Sequence, residues 1–278
     1  MSDIETAVAE HYTTGELTAR VISALKELGI DADAATPDDL KAGDEFHTGG
    51  VEATEHFFGH LTVTSSTRVL DVGSGIGGTS RFVSDRFGAN VTGVDLTPEF
   101  VETAAALTEM VGLSDKVRFL VGSALAMPVP DATFDLAILM HVGMNIEDKA
   151  ALFSEVARVL APGGIFAVFD VMKGTTDEDL VFPLPWSSRP ETSFLAPPAV
   201  YADAADSVAL RMVLEEDRSE FALDFFARVF AKTQAEGPAP LGIHLMMGQT
   251  AGEKLGNYVT NLKAGRLRPV EMIFEKAA

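Results

Sequence analysis

The chain has 278 residues, contains no cysteine and is strongly acidic. Its 47% apolar content provides a sizeable core, and the missing cysteine excludes disulfides, thiolate nucleophiles and cysteine-ligated metal clusters. The 41 acidic against 21 basic residues give a formal net charge of −20. Such a charge disfavours nucleic acid and anionic membranes as partners and favours a small molecule.

The sequence shows no targeting or membrane-spanning pattern. The start, Met1–Glu5, is acidic where a secretory signal is basic and then apolar. The most apolar stretches, around Ile138 and Phe166, are shorter than the roughly 18–20 residues of a membrane span. We therefore expect a soluble cytoplasmic protein that binds no membrane, with a homodimer as one compatible assembly.

The first 62 residues are predicted to form a helical cap. Apolar residues recur every three to four positions from Leu17 to Leu28, and Gly29 ends the run, which predicts one helix over residues 3–29. Residues 31–50 are polar and contain glycine, which indicates a loop. A second helix is predicted over residues 51–60.

From Arg68 onward, short apolar runs alternate with helical stretches. Predicted strands cover residues 68–72, 90–95, 117–121, 134–140, 165–172, 209–215 and 269–275. Predicted helices cover residues 77–87, 98–112, 147–160, 198–207, 219–236 and 250–264. This alternation predicts an α/β domain over residues 63–278, with a mostly parallel sheet and helices on both faces. Residues 173–198 hold five of the 13 prolines and predict a lid, because ordinary connections are shorter.

A glycine-rich turn, VLDVGSGIGG, follows the first predicted strand at residues 69–78. Gly73, Gly75 and Gly78 match the spacing of dinucleotide-binding loops, which is a weak signal by itself. Asp71 adds the discriminating feature, because a carboxylate disfavours a pyrophosphate and suits an ammonium group. S-adenosylmethionine carries an ammonium and a sulfonium and no phosphate.

Polar residues also stand at the ends of the next two predicted strands. Asp95 ends the second strand, where an acid accepts hydrogen bonds from ribose hydroxyls of either cofactor. The third strand ends in Gly122-Ser123-Ala124-Leu125, where an adenine edge would lie. The expected cofactor residues are Tyr12, Asp71, Gly73, Ser74, Gly75, Gly77, Asp95, Leu96, Ser123, Ala124, Leu125 and His141.

Residues 69–172 resemble a class I S-adenosylmethionine-dependent methyltransferase through VLDVGSGIGG, VTGVDLT, VRFLVGSALAMPVPDATFD and RVLAPGGIFAVFDVM. More narrowly, FHTGG, HVGMNI and PLPWSSRPETSFL are similar to a bacterial subgroup of the sarcosine/dimethylglycine and ubiquinone-biosynthesis-like methyltransferases. The resemblance implies a Rossmann-like sheet of seven strands with the last antiparallel, a helical cap over the cofactor, and S-adenosylmethionine as methyl donor. One departure is Ser123, where the family often carries an Asp that binds the adenine amino group.

The acceptor is expected at the carboxyl ends of the strands, where open α/β sheets bind ligands. Methyl transfer mainly needs alignment and removal of water, and it needs a general base only when the acceptor must lose a proton. Histidine suits that role near neutral pH. The expected catalytic residues are His141, His47 and Asp170. The expected acceptor-binding residues are His47, Asn145, Trp186, Arg189, Glu191 and His244.

No metal is expected. Catechol-type methyltransferases place carboxylates around Mg²⁺ after the fourth strand, whereas this chain has His141-Val142-Gly143-Met144-Asn145 there.

The leading functional hypothesis is methyl transfer to a small-molecule acceptor, first an amine of amino-acid type. The alternative within the same class is O-, C- or S-methylation of a small aromatic or thioether metabolite. An NAD-dependent oxidoreductase is disfavoured by Asp71 and by the lack of a Tyr-x-x-x-Lys pair. A catalytically silent cofactor-binding subunit is disfavoured by the polar residues at the strand ends.

Overall fold

The computed structural model describes residues 2–13 and 15–278, and a seven-stranded sheet lies at its centre. The strands are β1 (Arg68–Val72), β2 (Asn90–Asp95), β3 (Val117–Val121), β4 (Phe134–Met140), β5 (Leu160–Lys173), β6 (Leu210–Asp217) and β7 (Leu267–Lys276). Their order is β3-β2-β1-β4-β5-β7-β6, and β7 runs antiparallel to β5 and β6. The Rossmann-like methyltransferase sheet predicted from the sequence is confirmed.

The strand order reverses between β1 and β4, and this reversal positions the site. From β1 the chain proceeds outward to β2 and β3, then returns to add β4 and β5 on the other side. In open α/β sheets, ligands bind at the carboxyl ends of the strands beside such a reversal. The central strands β1, β2, β4 and β5 are largely buried on both faces, so long parts of them are apolar, as in Leu136–Met140.

The helices pack on both faces and over the carboxyl edge of the sheet. They are α1 (Asp3–Tyr12), α2 (Leu17–Glu27), α3 (Pro37–Asp44), α4 (Gly50–Gly59), α5 (Gly78–Phe87), α6 (Pro98–Met110), α7 (Lys149–Val159), α8 (Pro198–Ser207), α9 (Ser219–Glu236), α10 (His244–Met247) and α11 (Ala251–Lys263). None of the helices in the described ranges combines the length and apolar character needed to cross a membrane.

Two predictions for the cap were wrong. The single helix over residues 3–29 is broken at Gly15 and Glu16, both with positive φ, which gives α1 and α2. The segment interpreted as a loop contains α3, which begins with Thr36 and Asp39 in a reciprocal capping box. Because α3 has only eight residues and few buried apolar ones, its periodicity is too weak to recognise.

A buried ion pair fixes the cap to the sheet domain. Arg81 of α5 donates to Asp44 at the end of α3, with donor–acceptor distances of 2.5 and 3.1 Å. Both side chains are almost completely buried. A Cβ at Gly78 would lie 2.3 Å from the carbonyl oxygen of Asp44, so only glycine permits this close approach. The residues that follow α3 are thereby held over the glycine-rich turn.

The proline-rich connection after β5 is packed at its centre. Leu184 and Trp186 are buried among side chains of α9 and α11, and the indole Nε1 of Trp186 donates to Ser193 Oγ at 2.9 Å. The earlier part, residues 177–179, is exposed. The central part of the predicted lid therefore forms a wall of the interior.

Candidate active site

A cavity of about 980 Å³ lies over the carboxyl ends of β1 to β4. Its walls come from α1, the connection between α3 and α4, the glycine-rich turn, the loop after β4, and α9 to α11. This volume is at the upper end of the range of ligand cavities, about 300–1,000 Å³, so it has room for a cofactor together with a second molecule.

The glycine-rich turn forms the floor of the cavity. The backbone amides of Gly73 and Ser74 donate to the carbonyl of Val94, at 2.8 and 3.1 Å, which ties the turn to β2. Gly73 has a φ of +75°, and a Cβ there would lie 2.4 Å from the side chain of Val142. The backbone of the turn is therefore accessible from the cavity, and the conformation of the turn is fixed.

Asp71 is buried at the end of β1 and lines the cavity. Ser80 donates a hydrogen bond to its Oδ2 at 2.7 Å. Burial nevertheless raises the pKa of Asp71 to about 6. A cationic group in the cavity would relieve this cost, which makes Asp71 a suitable partner for an ammonium group.

Asp95 ends β2 and braces the same turn. It accepts hydrogen bonds from the backbone amides of Gly75 and Thr97, both at 2.8 Å. Burial raises the pKa of its carboxyl group, with these amide donors acting in the opposite direction. A carboxylate has about four lone-pair positions, so Asp95 retains capacity for the hydroxyls of a ribose.

Ser123 has a hydrogen-bond partner in α1 that could not be predicted from the sequence. Its hydroxyl donates to the carboxylate of Glu5 in α1 and accepts from the backbone amide of Leu125 at 3.0 Å. The Ser123 hydrogen bond holds the pKa of Glu5 below its usual value, so Glu5 is ionised at neutral pH. Glu5 also lines the cavity.

His141 follows β4 with a strained backbone. Its φ is +56°, a conformation that costs a non-glycine residue about 1–3 kcal/mol and that tends to occur at functional sites. The ring lies 4.8 Å from that of Phe169, centroid to centroid, and Nε2 is buried with no hydrogen-bond partner among the described residues. Burial, together with nearby His47, lowers the pKa of His141 well below 6.5. The imidazole is therefore neutral at physiological pH.

His47 is held by a buried acid. Its Nε2 lies 2.6 Å from Oε2 of Glu45, and Thr54 donates to the same oxygen at 2.6 Å. Burial disfavours ionisation of Glu45, but the hydrogen bonds from His47 and Thr54 outweigh it and lower its pKa. The rings of His47 and His141 lie 5.9 Å apart, so the structure brings both predicted histidines together.

Tyr12 and Asn145 also meet in the cavity, although 133 residues separate them. Nδ2 of Asn145 donates to the hydroxyl of Tyr12 at 3.1 Å, and the Tyr12 ring packs against Phe100. Burial raises the pKa of Tyr12, so its hydroxyl is neutral. The remaining expected cofactor residues that line the cavity are Ser74, Gly75, Leu96, Ala124 and Leu125.

Four expected site residues lie elsewhere. Asp170 is completely buried outside the cavity lining, where it accepts a hydrogen bond from Tyr201 at 2.6 Å. It lies inside β5, which continues to Lys173, so it does not line the cavity, and the catalytic role expected of it stays a prediction. Arg189 and Glu191, which were expected to bind the acceptor, are both exposed outside the cavity, and that role stays a prediction. Gly77 packs under the turn, against Phe119, and lines no part of the cavity.

The far wall of the cavity is apolar, and sequence reasoning did not identify it. Trp186 and His244 line it as expected, together with Phe225, Phe226, Val229, Phe230, Met246, Met247, Leu255 and Tyr258. Residues 225, 226, 229 and 230 recur at helical spacing in α9, a signal present in the sequence. Among the described residues that line the cavity, Lys41 is the only lysine or arginine, and it pairs with Asp38 at 2.5 Å.

A second polar cluster lies away from the cavity. His56, His60, Glu216 and Glu271 have potential metal-ligating atoms within 4.8 Å of one another, and the His-x-x-x-His spacing was present in the sequence. However, Nη1 of Arg218 donates to Glu216 at 2.7 Å and lies 2.6 Å from Nε2 of His56. The guanidinium already supplies the positive charge between these groups, so a metal ion would have to displace it. We therefore interpret these four side chains as partners of the Arg218 guanidinium and not as a metal site.

Comparison with known proteins agrees with this geometry. Residues 70–168 match a family described as methyltransferase domain. The chain is 50% identical over 95 residues to a probable tocopherol O-methyltransferase from Oryza sativa, covering 34% of this chain and 26% of that protein. It is 37% identical over 127 residues to a sterol 24-C-methyltransferase from Gibberella zeae, covering 45% and 33%. The chain thus spans about a quarter to a third of the length of these curated relatives.

The fold also matches a solved structure over most of its length. That structure is described as a sarcosine dimethylglycine methyltransferase from Galdieria sulphuraria, with a TM-score of 0.66 and 22% identity. The match covers 82% of this chain and 86% of the other. At this identity the likeness concerns the fold alone.

Proposed function

We propose that this chain, in which residues 70–168 form a class I S-adenosylmethionine-dependent methyltransferase domain, transfers a methyl group to a largely apolar small molecule. The observation that carries the proposal is the composition of the cavity. Carboxylates line the end beside the glycine-rich turn, and aromatic and aliphatic side chains from α9 to α11 line the other end.

The residues of the floor fit S-adenosylmethionine. Asp71 suits its ammonium group, Asp95 has free acceptor capacity for the ribose, and Gly73 leaves the backbone open where a Cβ would meet Val142. A dinucleotide fits poorly, because the buried carboxylate of Asp71 lines the cavity beside the turn, where a pyrophosphate would lie. When bound, S-adenosylmethionine supplies an electrophilic methyl group on sulfur.

The residues of the chain contribute to methyl transfer in three ways: they align the acceptor with the methyl donor, exclude water and supply one proton acceptor. The walls from α1 and α9 cover the cavity and reduce the access of water. His47 is engaged by Glu45, which fixes its ring. His141 is neutral and has a nitrogen without a partner, so it is the side chain able to take a proton from an acceptor that must lose one.

The apolar wall favours the second of the two acceptor classes considered from the sequence. The carboxylate of an amino-acid-type amine bound at the far wall would lie against aromatic and aliphatic side chains of α9 to α11, where no described lysine or arginine lines the cavity. Burying an unpaired carboxylate costs several kcal/mol. A neutral aromatic or aliphatic molecule instead gains from burial against side chains such as Phe226 and Met246. The relatives include O-, C- and N-methyltransferases, so the methylated atom depends on the acceptor.

Two titrations test the proposal. In calorimetry, S-adenosylhomocysteine should bind with one site per chain, and NAD⁺ should give no binding heat. In the second, Trp186, the only tryptophan, reports on the apolar wall through its fluorescence. With saturating S-adenosylhomocysteine, a C15 isoprenoid alcohol and an alkylphenol should change the Trp186 emission, and sarcosine should not.

The control for the fluorescence titration is Trp186→Phe, which should lose the signal while S-adenosylhomocysteine still binds. Binding of NAD⁺ in place of S-adenosylhomocysteine would contradict the methyltransferase assignment. A saturable response to sarcosine alone would contradict only the acceptor class.

A further inference from the structure

We infer that Glu5 of α1 recognises the amino group of the adenine ring, and thereby makes the first helix part of the cofactor site. The inference rests on the proposed function and deepens it, since it concerns the base end of the same cavity. It assigns the charged acceptor that Ser123 alone lacks.

The first observation is how Glu5 is held. Its Oε2 accepts a hydrogen bond from the backbone amide of Ser2 at 2.7 Å, and the hydroxyl of Ser2 accepts from the amide of Glu5 at 3.2 Å. This capping box fixes the side chain at the start of α1. The other carboxylate oxygen, Oε1, is left to face Ser123, 118 residues away in sequence.

The second observation is where Ser123 lies. In the β2–β3 ladder, Asp95 is paired with Val121, and the amide of Gly122 donates to the carbonyl of Asp95 at 2.9 Å. Ser123 is therefore the first side chain beyond the strand end beside Asp95. A nucleoside whose ribose is bound by Asp95 would direct its base toward β3. Apolar side chains of Ile4, Val8, Ala124 and Leu125 line the cavity around this position.

The hydrogen-bonding capacity at this position selects a donor. The hydroxyl proton of Ser123 is already given to Glu5, and its oxygen already accepts from the amide of Leu125. Glu5 and Ser123 can therefore only accept further hydrogen bonds, through the remaining lone pairs of the ionised carboxylate and of the hydroxyl that it polarises. The exocyclic amino group of adenine is a donor and satisfies them. A 6-oxo purine would place a carbonyl against the carboxylate and would be repelled.

A purely structural contact is the competing explanation. In that case the Glu5–Ser123 hydrogen bond would only dock α1 against the sheet, and loss of Glu5 would weaken all cofactor analogues equally. Base recognition instead predicts that the effect depends on the substituent at position 6 of the purine. The two explanations therefore differ in a ratio of affinities, which is insensitive to a general loosening of the helix.

The experiment measures the dissociation constants of S-adenosylhomocysteine and of its deaminated 6-oxo analogue, S-inosylhomocysteine, by calorimetry. The wild type should prefer the amino form by about tenfold or more, as expected for a charged hydrogen bond. In Glu5→Ala the ratio of the two dissociation constants should fall close to one. In Glu5→Gln it should also fall close to one, because an amide can present either its oxygen or its nitrogen to the base.

Glu5→Gln keeps a residue that supports the capping box, so it remains informative even if Glu5→Ala unfolds α1. The matched control is Glu10→Gln, an exposed position of the same helix, which should retain the wild-type ratio. A wild-type ratio in Glu5→Gln would overturn the inference and leave the proposed function intact. Failure of S-adenosylhomocysteine to bind the wild type would overturn both.

Discussion

Oε2 of Glu45 lies 2.6 Å from Nε2 of His47, whereas Nε2 of His141, whose ring is 5.9 Å from that of His47, has no hydrogen-bond partner in the part of the chain that the structure describes. The two histidines therefore differ in what they can do. His47 is fixed by a buried acid, and His141 is a neutral imidazole with spare hydrogen-bonding capacity. This difference leads to the first prediction.

His141→Gln should lower kcat by about 10²- to 10⁴-fold if the acceptor must lose a proton, with cofactor affinity nearly unchanged. His47→Gln should act mainly on KM, because His47 positions the acceptor and does not take a proton from it. Steady-state kinetics and calorimetry on the two variants check this, with His60→Gln, remote from the cavity, as the control. A KM effect without kcat loss in His141→Gln would show that the site works by alignment alone.

The pH profile of the wild type gives an independent check of His141. Burial and nearby His47 lower its pKa well below 6.5, so the imidazole is deprotonated at pH 6.5 and above. We expect kcat to remain flat between pH 6.5 and 8 and to decline only at lower pH. An ascending limb centred near pH 7 would mean that another group, or an unburied histidine, controls the rate.

The affinity for S-adenosylhomocysteine should decrease as pH falls through about 6. Burial raises the pKa of Asp71 to about 6, and only the ionised carboxylate attracts the ligand's ammonium group. Protonation therefore competes with binding, by at most tenfold per pH unit below that pKa. Calorimetry between pH 5 and 8 measures the effect. Asp71→Asn should bind more weakly throughout and lose this dependence, and a retained dependence would assign it to another group.

Asp95→Asn should weaken cofactor binding by about tenfold or more. An amide preserves the shape of the side chain but replaces a charged acceptor, and charged hydrogen bonds contribute about 1.5–3 kcal/mol each. The matched control is Asp115→Asn, an exposed position in the turn before β3, which should bind as the wild type does. A change of less than threefold in Asp95→Asn would show that the ribose lies elsewhere.

Limited proteolysis tests the predicted lid. Residues 177–179 are exposed, whereas Leu184 and Trp186 are buried, so cleavage after Glu178 should be fast and cleavage after Trp186 slow in the ligand-free protein. S-adenosylhomocysteine should leave the Trp186 site unchanged. Rapid cleavage after Trp186 that ligand suppresses would show that this wall opens and closes as a lid.

The sequence predicted the sheet well because its signals are local. The runs from Arg68 to Val72 and from Phe134 to Met140 are apolar, short and bounded by turn residues, and the structure gives both strands the same limits. The glycine-rich turn and Asp95 could be predicted from the sequence for the same reason. By contrast, α3 is too short to show a period, and the break at Gly15 was missed although glycine signals it.

The side-chain contacts that define the chemistry of the site were harder to predict from the sequence. The pairing of Glu5 with Ser123 spans 118 residues and depends on how α1 packs against the sheet, which no local pattern encodes. Glu45 stands two positions before His47, a spacing without a characteristic geometry in a loop. Asp170 was expected near the reacting methyl because it lies in the fifth strand, but its side chain is completely buried outside the cavity lining.

The most direct test of the account is transfer of an isotopically labelled methyl group. The protein would be incubated with S-adenosylmethionine labelled in its S-methyl group and with a cell metabolite extract, then the organic-soluble and water-soluble products would be separated and identified by mass spectrometry. We predict a labelled product in the organic-soluble fraction that is strongly reduced with Asp95→Asn and unchanged with Asp115→Asn. Label confined to water-soluble amines would contradict the apolar acceptor, and no transfer to any acceptor would contradict the methyltransferase assignment.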